Sequence, residues 1–121
     1  MKTVPLGATG AMTESTTFDA SDWRSHSPAF TGAGFARNLQ VVAALRRFAV
    51  DRSATIGQLA VAWVLAHPAV QVAIVGARTP AHLAESIGAL NLTLSQADLA
   101  EIDRLMVDAI PVGGPTPEGM T

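Results

Sequence analysis

Apolar positions along this chain recur at changing intervals, and each change marks an element. Between Phe35 and Asp51 the residues Phe35, Leu39, Val42, Leu45 and Ala49 step by three or four. That spacing lays one apolar stripe along a helix and turns Arg37, Arg46, Arg47 and Arg52 outward. A second helix opens at Thr55-Ile56-Gly57-Gln58, where a hydroxyl followed three residues later by an amide has the pattern of a capping box. It continues through Leu59, Val61, Trp63, Val64 and Leu65 until Pro68 stops it. Being apolar nearly all round, this helix is expected to be buried on most sides.

The run Val70-Gln71-Val72-Ala73-Ile74-Val75 breaks the helical interval. It is short, nearly all apolar, rich in β-branched residues and closed by Gly76, which reads as one buried parallel strand over residues 70–75. Thr79 then suits an N-cap and Pro80 the first helical position, with Leu83, Ile87 and Leu90 carrying a third helix. A last helix begins at Ser95, with Asp98 three residues on and Leu99, Ile102, Leu105 and Met106 on one face.

Outside these segments the pattern lapses. Residues 1–34 are rich in Gly, Thr, Ser and Asp and read as a long loop, with a short strand at Lys2–Leu6 and turns at Ser27-Pro28 and Thr31-Gly32-Ala33-Gly34. Phe18, Trp23 and Phe30 supply apolar anchors that pin this loop to the body. Residues 109–121 gather Pro and Gly and read as a flexible tail. The folded body is thus residues 35–108, in the order helix, helix, strand, helix, helix. A single parallel strand cannot make a sheet, because its two edges leave backbone groups unpaired. The chain is therefore expected to be part of a larger α/β fold.

Composition narrows the chemistry. Of 121 residues about half are apolar (49%), as in a folded globular domain. The net charge is −2 and the arginines are scattered, which argues against nucleic acid as a partner. No cysteine is present, so thiol and disulfide chemistry are excluded. His26, His67 and His82 lie far apart without ligand spacing, and no metal site is assigned. No signal-peptide pattern and no apolar segment of membrane-spanning length appears, so the expectations are no membrane partner and a cytoplasmic location.

The candidate chemistry lies where the strand feeds the third helix. Free N–H groups and the helix dipole favour an anion there, and Arg78 sits in the turn, where its planar fork can hold a phosphate. Such junctions are common in α/β proteins, and most bind nothing.

Several ordered motifs give this junction a context. The run Ala54-Thr55-Ile56-Gly57-Gln58-Leu59-Ala60-Val61-Ala62-Trp63-Val64-Leu65, then Ile74-Val75-Gly76-Ala77-Arg78-Thr79-Pro80 and Leu83-Ala84-Glu85-Ser86, resembles the C-terminal part of aldo-keto reductases. Upstream, Pro5-Leu6-Gly7, Thr9-Gly10-Ala11-Met12-Thr13, Asp22-Trp23-Arg24, Ser27-Pro28-Ala29-Phe30 and Ala36-Arg37-Asn38-Leu39 resemble the loop and helix that follow the seventh barrel strand of that family. The likeness covers roughly residues 5–108. It implies the C-terminal portion of a TIM (β/α)8 barrel of about 250 residues, with its site at the C-terminal ends of the strands. It also implies NADP(H) as cofactor and a small carbonyl compound as substrate.

Carried over residue by residue, the resemblance makes residues 70–75 the eighth strand. It makes Gly76, Ala77, Arg78 and Thr79 a clamp on the adenosine 2′-phosphate, with His82, Glu85 and Ser86 at the adenine end. Ser86 stands where the family usually has Asn, and His82 where Gln or Arg is common. Both changes shorten or soften polar contacts and imply weakened or lost nucleotide affinity. Residues Pro5 to Gly10 are also about three residues shorter than the family's loop, which normally covers the cofactor pyrophosphate.

The family's general acid is a Tyr tuned by a Lys and assisted by an Asp and a His, all in the N-terminal half of the barrel. This chain has no Tyr, and its only Lys is Lys2. No His matches the family's catalytic one, so no catalytic residue is assigned. The resulting expectation is an oxidoreductase segment that keeps a nucleotide half-site and is inactive alone. The alternative is a non-enzymatic interaction module that covers its apolar surfaces with a partner or with a second copy of itself. With most of a barrel missing, the strand is expected to be poorly ordered and unfolding weakly cooperative.

Overall fold

The structure is a computed structural model that describes residues 12–113. Two compact units divide them, one formed by residues 12–41 with 108–113 and the other by Val42–Val107. Every regular element among the described residues is helical: α1 (Gly32–Val50), α2 (Ile56–Ala66), α3 (Pro80–Ile87) and α4 (Gln96–Met106), with short 3₁₀ turns at Trp23–His26 and Gly88–Asn91.

In the first unit, local hydrogen bonds organise the loop. Asp22 caps the Trp23–His26 turn by accepting from the Arg24 amide, and its carboxylate also pairs with the Arg24 guanidinium. Those bonds hold the Asp22 carboxyl at a pKa of about 2. Phe18 and Trp23 each meet Phe30 edge-on, at centroid distances of 5.8 and 5.6 Å, and Phe30 leans on Phe35 at the start of α1. The three aromatic anchors expected from the sequence thus gather into one cluster. Asn38 of α1 then acts as a backbone clamp. Its side-chain oxygen accepts from the Ile110 N–H at 2.8 Å, while its amide nitrogen donates to the carbonyls of Ile110 and Ala29.

The helix expected from Phe35 begins three residues earlier, at Gly32, so the Thr31–Gly34 turn signal overlaps its first turn. Gly34 is there for space. A Cβ on it would stand 2.1 Å from the Pro28 carbonyl oxygen, an approach that only glycine permits.

The second unit holds the larger core. Phe48 and Ala49 of α1, Leu59 of α2 and Ile102 of α4 are buried together, with Leu45, Leu92, Leu94 and Leu105 packed around them. Helix α1 stops in a Schellman-type turn: the Ser53 N–H donates to the Val50 carbonyl and the Ala54 N–H to the Ala49 carbonyl. Ser53 takes the left-handed conformation (φ 56°) usually left to Gly. Arg52 is exposed, as the sequence pattern expects. Its guanidinium lies 3.5 Å from the Phe48 ring centroid and reaches Asp98 of α4 at 2.5 Å.

The capping boxes at Thr55/Gln58 and Ser95/Asp98 are both formed, and Thr79 caps α3 with Pro80 in its first turn. Helix α2 departs from expectation in burial. Only Leu59 and Ala62 are fully covered, while Trp63 and Val64 are about two-fifths exposed (41% and 39%).

The strand expected at residues 70–75 is not formed. This segment has neither helix nor strand, and Val72 and Ile74 are exposed (75% and 98%). The reason is the one its sequence raised: a strand exists by pairing, and no second extended segment lies among the described residues to pair with it. The other expected strand, Lys2–Leu6, falls outside the described residues, as does most of the expected tail.

Candidate functional site

The junction singled out in the sequence is an exposed turn leading into α3. Gly76, Ala77, Arg78 and Thr79 are all exposed, and a Cβ on Gly76 would meet nothing within 4 Å. Among the described residues Arg78 makes no ion pair or side-chain hydrogen bond, whereas Arg24, Arg52 and Arg104 are each paired with a carboxylate. Thr79 spends its hydroxyl oxygen as an acceptor for the His82 N–H at 3.2 Å. Its own O–H proton stays available to a second acceptor.

His82 and Glu85 follow on α3, one helical turn apart, with Ser86 beside Glu85. The Ser86 hydroxyl donates to the His82 carbonyl at 3.0 Å, a back-bond to its own helix that commits its proton. Glu85 is exposed. A Cβ on Gly57 of α2 would lie 3.7 Å from Oε1 of Glu85. The fold therefore carries Thr79, His82, Glu85 and Ser86 on or at the cap of one short helix. Gly76, Ala77 and Arg78 lie on the approach to it.

Helix α3 is held from the side by a residue the sequence marked only as a cap. Gln58 accepts from the Thr55 N–H through Oε1 at 3.0 Å, closing the capping box of α2. Its Nε2 donates to the Glu85 carbonyl at 2.9 Å. The available signal was the choice of Gln over Glu at this capping position, because only the amide has a donor left after capping.

A separate depression of about 300 Å³ opens in the first unit between Thr16, Phe18, Ser25, Phe30 and Phe35. Among the described residues no three His, Asp or Glu side chains gather as metal ligands, and no helix is long and apolar enough to cross a membrane.

Comparison with known proteins gives this helix its context. A model of the Aldo/keto reductase family matches residues 2–107. The chain is 33% identical over 118 residues to the Aldo-keto reductase yakc [NADP(+)] of Schizosaccharomyces pombe, a match covering 95% of this chain and 35% of that protein. It is 35% identical over 108 residues to the Aldo-keto reductase YhdN of Bacillus subtilis, covering 87% of this chain and 33% of that one. To the Aldo-keto reductase str7 of Strobilurus tenacellus it is 32% identical over 104 residues, 84% of this chain and 31% of the relative. The chain thus spans about a third of the length of these curated relatives.

Proposed function

The chain belongs to the aldo/keto reductase family, which implies a TIM barrel, and from that premise we propose that it carries the adenosine 2′-phosphate half-site of an NADP(H)-dependent carbonyl oxidoreductase. The observation that carries the reading is the Arg78–Thr79 approach to α3. An arginine without a carboxylate partner among the described residues precedes a capped helix start. A cationic fork and a hydroxyl proton beside a helix N-terminus match the acceptor oxygens of a phosphate dianion. The printed name of the fission-yeast relative, which includes NADP(+), agrees with this choice of cofactor.

Further along α3, Glu85 offers an exposed carboxylate to the amino group of an adenine. The Ser86 hydroxyl, already donated to His82, has only its lone pairs left to offer. The residues therefore fit a dinucleotide phosphate at its adenosine end, with a weaker hold at position 86 than an amide would give. NADPH, when bound, supplies a hydride to a carbonyl carbon. The proton that must accompany the hydride needs a donor, and with no Tyr in the chain and Lys2 its only Lys, we assign none here. Carbonyl reduction by the 121-residue chain alone is expected to be absent.

Titration of the chain with NADPH and NADH, followed by calorimetry, tests the half-site. The expected outcome is binding that favours NADPH. Arg78→Ala should lower NADPH affinity about tenfold or more and leave NADH affinity unchanged, from the worth of a charge-assisted hydrogen bond. Equal binding of the two cofactors, or no binding of either, refutes the reading.

A second reading is favoured by a different observation. Trp63, Val72, Ile74, Leu83, Ile87 and Leu90 are exposed apolar residues of one unit. An interaction module covering them with a partner chain or a second copy would self-associate or bind in solution. Sedimentation showing a monodisperse monomer at high concentration counts against the second-copy form.

A further inference from the structure

Resting on the half-site reading above, we infer that Gln58, on α2, is a positioning residue for the adenine end of the nucleotide, acting through the backbone of Glu85. The argument begins with the end of α3. A helix leaves its last carbonyls without intrahelical partners, and α3, at eight residues, has little length to hold its own last turn. The Gly88 N–H is directed to the carbonyls of Ala84 and Ser86. The Glu85 carbonyl between them is taken by Nε2 of Gln58 at 2.9 Å. Because Gln58 is fixed at its other atom, Oε1, by the Thr55 N–H at 3.0 Å, its amide is pinned at both ends. It ties the backbone that carries the Glu85 carboxylate to the N-terminus of the neighbouring helix.

Gly88 leaves room for this amide. A Cβ at position 88 would stand 2.4 Å from Nε2 of Gln58 and 3.4 Å from its amide carbon. The backbone at Gly88 is right-handed helical (φ −57°, ψ −20°), so glycine is not required there by conformation. The missing side chain matters because it would occupy the place of the Gln58 amide. Two residues far apart in sequence thus serve one contact, and each gives an independent way to remove it.

Gln58→Glu keeps an acceptor for the Thr55 N–H and the capping box of α2, but has no proton for the Glu85 carbonyl. Gly88→Ala keeps Gln58 and pushes its flexible end aside, while alanine favours the helical conformation already present. A merely structural role would weaken all ligands alike. A positioning role changes the discrimination that the Glu85 carboxylate makes, which is for the 6-amino group of adenine.

The test uses the full 121-residue chain titrated with NADPH and with its hypoxanthine analogue, in which an oxygen replaces that amino group. The expected result is a preference for NADPH over the analogue that falls about fivefold in both Gln58→Glu and Gly88→Ala, the worth of one hydrogen bond. The NADPH-over-NADH preference, set by Arg78, should not move. If both variants keep the adenine preference of the parent, or only one loses it, the positioning role is wrong and the half-site stands. If the parent binds neither NADPH nor the analogue, the half-site reading fails and the positioning role fails with it.

Discussion

A pair of isoleucines separates the core the chain possesses from the surface it leaves open. Ile102 is 2% exposed, packed with Phe48, Ala49 and Leu59 at the centre of the second unit, whereas Ile74 is 98% exposed in the segment between α2 and α3. Replacing Ile102 by Ala removes three carbons from a close-packed site. At about 0.8 kcal/mol per buried methylene the transfer loss is roughly 2.4 kcal/mol. Incomplete collapse of the cavity brings the total to about 3 kcal/mol, within the range for such truncations. Ile74→Ala removes the same carbons from water and should change stability by less than about 0.5 kcal/mol.

Each unit contains one of the two tryptophans, Trp23 in the first and Trp63 in the second. Urea unfolding followed by Trp63 fluorescence in a Trp23→Phe background therefore reports on the unit in question. A small midpoint shift for Ile74→Ala beside a large one for Ile102→Ala is the expected result. Equal costs would show that residues 70–75 are packed in solution, either as a paired strand or in an interface, and would refute the description of an open segment.

Other outcomes follow from single contacts. Gly34→Ala, which in an ordinary helix interior would be stabilising, should instead destabilise the first unit by about 2 kcal/mol, since its Cβ would lie 2.1 Å from a backbone oxygen that cannot swing away; Trp23 fluorescence in a Trp63→Phe background measures it. Asp98 accepts from the Ser95 N–H and from Arg52, and these bonds, the Ser95 one foremost, lower its pKa below the ordinary carboxylate value of 3.8. Its contribution is therefore fully present above pH 3.8 and is lost as pH falls through its lower folded-state value. The gap in thermal midpoint between the parent and Asp98→Asn should be constant from pH 7 to about pH 5 and should close in more acidic solution. A gap that widens on acidification would overturn this assignment.

The helices were legible in the sequence because their signals are local. Thr55 with Gln58, Thr79 with Pro80, and Ser95 with Asp98 each satisfy their own helix starts, and each cap appears where the sequence put it. Residues 70–75 failed for the complementary reason. β-branched, apolar composition expresses a fitness to be paired, and pairing depends on residues elsewhere. The same run that reads as a buried strand is therefore a segment without strand structure here, with Val72 and Ile74 exposed, and the exposed residues of α2 and α3 go with it. Arg52 shows a smaller version of the same limit. Helical periodicity set it among the outward arginines, where it is exposed, but that interval does not show its partners, the Phe48 ring one turn back and Asp98, 46 positions further along the chain.

At the candidate site the division is between side chains proposed to face a ligand and those that hold the backbone behind them. Arg78 is marked by its charge and its place in the turn, and Glu85 and Ser86 by the resemblance to the family. Neither mark assigns Gln58 or Gly88 to the site. One reads as a cap and the other lies unremarked within the run expected of the third helix, and only the 2.9 Å bond to Glu85 and the 2.4 Å that would separate a Cβ at position 88 from the Gln58 amide join them. The joint is also directional. Gln58 reaches the Glu85 carbonyl from α2 and so ties the last turn of α3 to it, while Arg78 lies before the cap, at the other end of α3. A loss of α2 should therefore degrade adenine recognition before phosphate recognition. On the proposed reading, the two halves of the nucleotide would be held by parts of the chain that differ in what supports them.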